Sequence, residues 1–142
     1  MSPRSPRNVL LTGPPGWRKT TVVRRVVQAL GDLRLAGFYT QEVRERGQRV
    51  GFEIIGLGGQ RSLLAHVDWR SHLRVGRYGV EPDRLVPVIE AELGQPPDKV
   101  DVHVIDEIGK LELYCPAFVE RVPLLLSGPT PVVATVALRG QV

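Results

Sequence analysis

A glycine- and proline-rich turn near the N-terminus constrains the fold more than any other feature. The stretch from Leu10 to Thr21 reads LLTGPPGWRKTT. Val9 to Thr12 is a short apolar run, and Thr20 to Leu30 carries apolar residues at helical spacing until Gly31. A strand, a glycine loop and a helix in this order are the context of a phosphate-binding loop, in which backbone N–H groups and a helix N-terminus face an anion.

The loop departs from the usual pattern at one position. The pattern G-x-x-x-x-G-K-[ST], counted from Gly13, requires glycine where this sequence has Arg18. Gly13, Gly16 and Lys19 still provide the frame of such a loop. Thr20 follows the lysine directly, as a hydroxyl ligand of Mg²⁺ requires. A glycine and proline turn that happens to precede Lys-Thr explains the stretch equally well, so the loop alone leaves both interpretations open.

The rest of the sequence predicts alternating strands and helices. Residues 38–43 and 49–57 are rich in β-formers and flank a polar, glycine-containing stretch, which predicts an antiparallel hairpin. Residues 62–67 fit either a third strand or a short helix. The periodicity of apolar residues predicts further elements: a helix at 81–93 that Pro87 disturbs, a strand at 100–105, a helix at 116–126 and a strand at 131–138. This order predicts a three-layer α/β fold whose sheet is mostly parallel, with the hairpin as an insertion.

Length and composition indicate one globular, intracellular domain. The 142 residues suit a single domain over 1–142, and 42% hydrophobic with 24% charged residues is ordinary for such a protein. Cys115 is the only cysteine, which excludes an internal disulfide framework and favours a reduced thiol. The first residues, MSPRSPRNV, contain no apolar segment, and no stretch approaches the length of a membrane span. We therefore expect a cytoplasmic protein without a membrane partner.

The net charge of +4 comes mainly from arginine, since the sequence has only three lysines. This balance fits an anionic ligand such as a nucleotide, and it equally fits a solvated surface. The clusters at 44–49 and 70–77 are mixed with acids, glycine or apolar residues, and only three phenylalanines and three tyrosines are present to stack on bases. Nucleic acid is therefore an unlikely partner on composition alone.

A second motif supports the phosphate-loop interpretation. Val102 to Lys110 reads VHVIDEIGK, an apolar strand that ends in adjacent carboxylates. In P-loop enzymes the first such acid holds the magnesium shell and the second positions water. Asp106 would hold Mg²⁺ through water, and Glu107 would orient or deprotonate the attacking water. An ordinary strand ending in a solvated turn is the alternative. A phosphate-loop pattern followed by a strand that ends in two acids is less often accidental than either motif alone.

At these residues the sequence resembles the cancer-related (THEP-type) nucleoside-triphosphatases. The resemblance is carried by LTGPPG and KTT in the loop (Walker A), GFYTQEVRERGQRVGF in the hairpin, VGRYGV, VIDEIGKLEL (Walker B) and the closing ATV. It implies a P-loop domain that hydrolyses nucleoside triphosphates such as ATP and GTP slowly, with Mg²⁺ and relaxed base preference. The nucleotide-binding positions implied are Gly13, Pro14, Pro15, Gly16, Trp17, Arg18, Lys19, Thr20, Thr21, Asp106, Glu107, Ile108, Gly109 and Lys110.

Within this set the resemblance implies specific roles. Lys19 and Glu107 are the expected catalytic residues, and Thr20 and Asp106 are the expected metal ligands. For Arg77 and Tyr78 of GRYGV two interpretations stay open. An arginine near the site would offset developing phosphate charge, and a structural turn with a surface arginine explains the stretch as well.

The end of the sequence also departs from the family. Members continue past the equivalent of Gly140 with a helix, a strand, an Asn-Arg stretch and a final helix, whereas this sequence stops at Val142. Without these C-terminal elements we expect exposed apolar surface and an open strand edge, which would favour self-association.

Two rival functions remain at the level of sequence. A non-catalytic or degenerate nucleotide-binding module is favoured by Arg18, whereas the intact Lys19, Thr20, Asp106 and Glu107 favour the enzyme. A small-molecule or nucleotide kinase shares the loop. Against the kinase, a glutamate beside Asp106 suits activation of water, and no obvious arginine-rich lid segment is present.

The arginine in the loop gives a first prediction. The glycine missing at position 18 is the one whose backbone lies against a phosphate, and arginine adds a Cβ and a long side chain there. Steric overlap should outweigh the added charge, because water already solvates the flexible guanidinium. We expect Arg18→Gly to bind nucleotide more tightly and to turn over faster. Nucleotide titration and phosphate release measure both; equal affinity and rate in the two forms would contradict the prediction.

Overall fold

One mixed sheet of eight strands organises the molecule, of which the computed structural model describes residues 8–13 and 19–137. The strands are β1 (Val9–Gly13), β2 (Leu35–Glu45), β3 (Gln48–Gly56), β4 (Arg61–His66), β5 (Leu73–Val75), β6 (Tyr78–Val80), β7 (Val102–Ile108) and β8 (Val132–Ala137). The helices are α1 (Lys19–Ala29), α2 (Val86–Val88), α3 (Lys110–Leu113) and α4 (Pro116–Ser127). Single helical turns of other types are Pro82–Leu85, Ile89–Leu93 and Pro97–Lys99.

The strand order is β1-β8-β7-β2-β3-β4-β6-β5. The pairs from β1 to β2 are parallel, and the pairs from β2 to β5 are antiparallel. The predicted α/β class is confirmed, and the antiparallel part extends beyond the predicted hairpin. Residues 61–66 form a strand rather than a helix, because the open edge of β3 offers ladder partners that local propensity cannot reveal.

Helices cover both faces of the sheet, as the three-layer prediction requires. On one face Val23 of α1 packs with Val102 and Val104 of β7. On the other face Phe38 of β2 and Phe118 of α4 meet in an edge-on contact with ring centroids 6.0 Å apart. Each face of the sheet thus has its own hydrophobic core, and successive side chains of β7 point alternately to one core and to the other, as expected of a strand buried on both faces.

The predicted hairpin between β2 and β3 is confirmed. Its pairing runs from Phe38 opposite Gly56 to Glu45 opposite Gln48. The two turn residues, Arg46 and Gly47, have φ of 51° and 77°. Left-handed conformations at both positions match the right-handed twist of the flanking strands, so the turn joins them without splaying.

The helical segment between β6 and β7 is fastened to the base of this hairpin. It changes from 3₁₀ through α to π geometry along Pro82–Leu93, and Pro87, which has no N–H to donate, lies within it. The buried carboxylate of Glu92 accepts the N–H of Gly37 at 3.1 Å and the N–H of Gly58 at 2.9 Å. These bonds join three segments that are distant in sequence.

The far edge of the parallel part is β1, which pairs with β8 in the described part of the chain. Val9 and Leu10 are 57% and 52% exposed. This agrees with the expected apolar surface at the sheet edge, while self-association through it stays a prediction. Within residues 8–13 and 19–137 no helix combines the length and the hydrophobicity needed to cross a membrane.

The close approach of β2 to β7 predicts an effect of adding one methyl group. Gly37 has φ of 140°, and a Cβ built on it would overlap the carbonyl group of Val104. Gly59 also has a positive φ, of 105°, but a Cβ there meets nothing within 4 Å. We expect Gly37→Ala to lower the free energy of unfolding by more than about 3 kcal/mol, and Gly59→Ala by only about 1 kcal/mol. Urea denaturation followed by circular dichroism measures both; equal losses would contradict the argument.

Candidate active site

Parallel pairing brings the two sequence motifs to the same edge of the sheet. β1 ends at Gly13, β7 carries Asp106 and Glu107 near its end, and β8 lies between these two strands. The carboxyl ends of parallel strands meet at one edge, which is where ligands bind in α/β proteins. Lys19 opens α1 at this edge. The expected catalytic residues are thus neighbours although 88 positions separate them in the sequence.

The ammonium group of Lys19 lies between a backbone oxygen and a carboxylate. Its Nζ donates to the carbonyl of Gly13 at 3.2 Å and lies 3.8 Å from Oε2 of Glu107. The lysine side chain is only 13% exposed. A buried point charge at the N-terminus of α1 suits an anionic ligand, because the free N–H groups of the helix add to its field.

Asp106 is held on one side and unsatisfied on the other. The residue is 3% exposed, and its Oδ1 accepts the hydroxyl of Thr135 on β8 at 2.6 Å. Its Oδ2 is buried and has no hydrogen-bond partner in the described part of the chain. A buried carboxylate oxygen without a donor is costly unless a cation satisfies it. The orphaned oxygen therefore fits a divalent metal ion.

The donor set suits a metal that shares its ligands with a substrate. Among residues 8–13 and 19–137 no group of three His, Cys, Asp or Glu side chains is arranged to hold a metal alone. Mg²⁺ keeps several waters and is typically bound by one or two carboxylates together with phosphate oxygens. Asp106 and the hydroxyl of Thr20, which is partly buried on the first turn of α1, are the groups available for this role.

Glu107 is the half-buried acid of the pair. Burial raises the pKa of its carboxyl, the charge of Lys19 opposes this increase, and the charge of Asp106 adds to it. A carboxylate whose pKa is raised is a stronger proton acceptor than an ordinary glutamate. Its position beside Lys19 places that acceptor next to the group that would hold a phosphate.

A third acid, Glu112, joins the site and was not predicted from the sequence. It is 2% exposed, and its Oε1 accepts the N–H of Gly109 at 3.1 Å. Burial, with the charges of Glu107 and Asp106, raises its pKa to about 8. A Cβ on Gly109 would lie 2.9 Å from Oε1 of Glu107 and 3.0 Å from Oε1 of Glu112, so this glycine separates two carboxyls. One feature of the sequence could have indicated Glu112: it lies three residues after Gly109, which is the spacing of an acid that caps a helix N-terminus.

The other predicted binding residues are distributed around this edge. Thr21 is exposed on α1, Ile108 is partly buried at the end of β7, Gly109 is buried, and Lys110 is exposed at the start of α3. The remaining predicted positions, Pro14, Pro15, Gly16, Trp17 and Arg18, lie outside the described residues.

Arg77 and Tyr78 lie elsewhere on the sheet. Tyr78 begins β6, which is separated from β7 by β2, β3 and β4. Strands are about 4.8 Å apart, so β6 lies roughly 19 Å from β7 across the sheet. Arg77 donates to the carbonyl of Arg49 rather than to any group at the site. The structure therefore favours the structural turn over a phosphate contact for this arginine.

The buried Glu112 predicts a specific dependence of stability on pH. Its folded-state pKa of about 8 lies above the ordinary value of 4.5. Between these values the unfolded chain releases the proton and the folded chain keeps it, so stability falls as pH rises and the full cost is reached above the folded pKa. Gln cannot ionise, so its variant does not lose stability in this way. We therefore expect the free energy of unfolding of Glu112→Gln, relative to that of the natural protein, to increase by about 3 kcal/mol between about pH 4 and pH 7.

Urea denaturation at a series of pH values measures this difference in the free energy of unfolding. Glu120 is exposed on α4, so Glu120→Gln is the matched control and should show no such trend. A difference between Glu112→Gln and the natural protein that stays constant with pH would contradict the assignment of a protonated, buried carboxyl.

Comparison with known proteins identifies the family. A family model described as NTPase matches residues 8–141. The nucleoside-triphosphatase THEP1 of Natranaerobius thermophilus is 43% identical over 132 residues, which cover 91% of this chain and 74% of that protein. The human cancer-related nucleoside-triphosphatase is 37% identical over 139 residues, covering 89% and 73%. The crystal structure of THEP1 from Aquifex aeolicus matches with a TM-score of 0.80 and 36% identity, covering 93% of this chain and 77% of that one. The chain therefore belongs to the NTPase family, together with the THEP1 and cancer-related nucleoside-triphosphatases.

Proposed function

We propose that the protein hydrolyses nucleoside 5'-triphosphates, ATP and GTP among them, to the diphosphate and phosphate, with Mg²⁺ and relaxed base preference. The observation that carries the proposal is the convergence of Lys19, Asp106 and Glu107 at one sheet edge, where Oδ2 of Asp106 is buried without a donor. The names of the related nucleoside-triphosphatases support the same activity.

Lys19 holds the outer phosphates in this proposal. Its ammonium group lies within reach of Glu107 and the carbonyl of Gly13, so a phosphate that enters the site meets a cation already in position. Preorganised charge of this kind stabilises the phosphoryl group as negative charge redistributes in the transition state. Of residues 14–18, which lie outside the described part of the chain, Gly16, Trp17 and Arg18 would supply backbone N–H groups, since proline has none.

Asp106 and Thr20 would hold the metal. When bound, Mg²⁺ neutralises charge on the phosphate oxygens. Thr135 donates to one oxygen of Asp106 and so leaves the other oxygen for the metal shell. Second-shell donors of this kind fix the orientation of a ligating carboxylate.

Glu107 activates the water. The raised pKa of its carboxyl makes it a suitable acceptor for the proton that the attacking water loses. The ion pair of Glu107 with Lys19 orients the carboxylate toward the proposed phosphate position. A base beside the metal ligand favours water over an alcohol acceptor, so a small-molecule or nucleotide kinase is the less favoured candidate.

These roles give one prediction for activity. We expect Glu107→Gln to lower the rate of phosphate release by about 100-fold or more while nucleotide affinity is kept, because the substitution removes the base and leaves Lys19 in place. Lys19→Ala should weaken both affinity and rate. Phosphate release with and without Mg²⁺ measures the rate, and a titration with a non-hydrolysable analogue measures the affinity. The exposed Glu120→Gln again serves as the control.

The outcomes separate the candidates. Binding without release in the natural protein supports the degenerate nucleotide-binding module that Arg18 favours, and phosphate that appears on an added acceptor supports the kinase. If Glu107→Gln hydrolyses as fast as the natural protein, the assigned base is wrong. The cytoplasmic location and the single domain over 1–142 stay predictions.

A further inference from the structure

The fold brings together two arginine clusters that the sequence keeps apart. Arg77 donates to the backbone carbonyl of Arg49, which is 28 positions away. Arg49 in turn donates from Nε to the hydroxyl of Tyr78 at 2.9 Å. Arg74 donates to the carbonyl of Arg77 at 2.8 Å. The residues Arg44, Arg49, Arg74 and Arg77, with Tyr78 beneath them, are called the arginine patch below.

The arginine patch carries an excess of positive charge. Its members form ion pairs with only one carboxylate in the described part of the chain, that of Glu42, which contacts both Arg44 and Arg49. Three other arginines of the described chain pair with one carboxylate each: Arg34 with Asp101, Arg61 with Glu53 and Arg84 with Glu81. In the patch, by contrast, four guanidinium groups lie close together and only one carboxylate of the described residues pairs with any of them, so the patch carries net positive charge.

Two aromatic rings, Tyr78 buried and Phe52 partly buried, hold these cations in place. The guanidinium carbon of Arg49 lies 5.3 Å from the ring centre of Phe52, and that of Arg77 lies 5.3 Å from the ring centre of Tyr78. The two rings pack edge-on at 5.2 Å, and Tyr78 is only 8% exposed. Cations stacked on rings lose less freedom when they bind a ligand, because their positions are already fixed.

The tyrosine hydroxyl reports the positive field of the patch. Burial acts to raise the pKa of Tyr78, but hydrogen bonds from Arg77 and Arg49 and their charges outweigh burial and lower it. The patch thus has the charge of an anion-binding surface as well as its geometry.

The chemistry of the patch favours a phosphate backbone over a protein. The large apolar side chains that are exposed in the described part of the chain, among them Val9, Leu10 and Leu124, lie outside the patch. A protein-docking surface has an apolar centre, which is missing here. The rings lie under the guanidinium groups, so bases cannot stack on them. We propose that the arginine patch binds the phosphate backbone of nucleic acid without reading its sequence.

The part of this surface on β5 and β6 is separate from the candidate active site, and Arg44 and Arg49 lie on the β2–β3 hairpin beyond Tyr39, where β2 stops pairing with β7. β6 and β5 lie at the opposite end of the strand order from β1 and β8. The sequence alone made nucleic acid an unlikely partner, because each cluster, taken separately, is mixed with acids, glycine or apolar residues. In the folded sheet the two clusters are adjacent, and among the described residues only Arg44 and Arg49 of the four arginines pair with a carboxylate, that of Glu42. The proposal does not rest on the hydrolytic activity.

Fluorescence anisotropy of a labelled single-stranded DNA of mixed sequence tests the proposal. We expect a dissociation constant on the order of 10 µM in about 50 mM KCl, and binding that weakens with salt at a logarithmic slope of about 0.7 for each phosphate neutralised. The double variant Arg74→Ala with Arg77→Ala should weaken binding about tenfold or more and reduce the slope by about 0.7 for each arginine removed. The double variant with lysine at both positions should keep the slope.

A matched control removes the same charge elsewhere. Arg25 on α1 and Arg121 on α4 are exposed and lie outside the patch, so their double alanine variant should bind as the natural protein does. Circular dichroism and thermal unfolding confirm that each variant is folded. A further variant, Tyr78→Phe, keeps the ring and removes the hydroxyl, and it should weaken DNA binding several-fold.

Four results would overturn the proposal. If the protein shows no salt-dependent binding of DNA, the proposal is wrong. It is also wrong if the Arg25 and Arg121 control loses as much affinity as the patch variant, because binding would then depend on net charge alone. Polyglutamate that binds as tightly as DNA would indicate an acidic protein partner instead. Displacement of the DNA by excess ATP would make the patch an extension of the nucleotide site.

Discussion

The central strand β7 is the constraint on which the structure depends. Its first five residues are buried, and it pairs in parallel with both β2 and β8. A strand enclosed on both faces has water only beyond its end, so polar side chains gather there. Asp106 is the last buried residue of the strand, with half of its carboxylate satisfied by Thr135, and Glu107 is the first residue that is only partly buried. The site therefore follows from where burial ends along β7.

The charges at this edge explain why a cation belongs in the reaction. Three acids, Asp106, Glu107 and Glu112, lie at this edge, and the ammonium group of Lys19 pairs with one of them, Glu107. A triphosphate would add several negative charges to a site that is already acidic. The raised pKa of Glu112 removes one of these charges at neutral pH because the carboxyl stays protonated. A divalent metal at Asp106 would compensate for more of the rest, which makes metal and substrate binding mutually dependent.

Local chemistry made part of this fold predictable. The hairpin follows from β-rich runs around Arg46 and Gly47, and α1 follows from its apolar spacing. The sequence also showed Asp101 and His103 interrupting the apolar run of β7. Asp101 precedes the strand and pairs with Arg34 at 3.1 Å; burial lowers the pKa of His103 and so keeps it neutral inside. The strands β5 and β6 were missed because each has only three residues, too few to show a preference for strand structure in the sequence. They form because β6 pairs with β4 and β5 pairs with β6.

The residues that sequence reasoning missed share a physical cause. Glu92 and Glu112 are buried acids whose partners are backbone N–H groups, so no complementary side chain marks them in the sequence. The arginine patch was missed for the opposite reason, because its members were visible but their neighbours were not. Charge read along a chain counts the acids that adjoin each arginine in sequence. A sheet adds neighbours that are distant in sequence, and at Arg49 and Arg77 these include aromatic rings and another arginine.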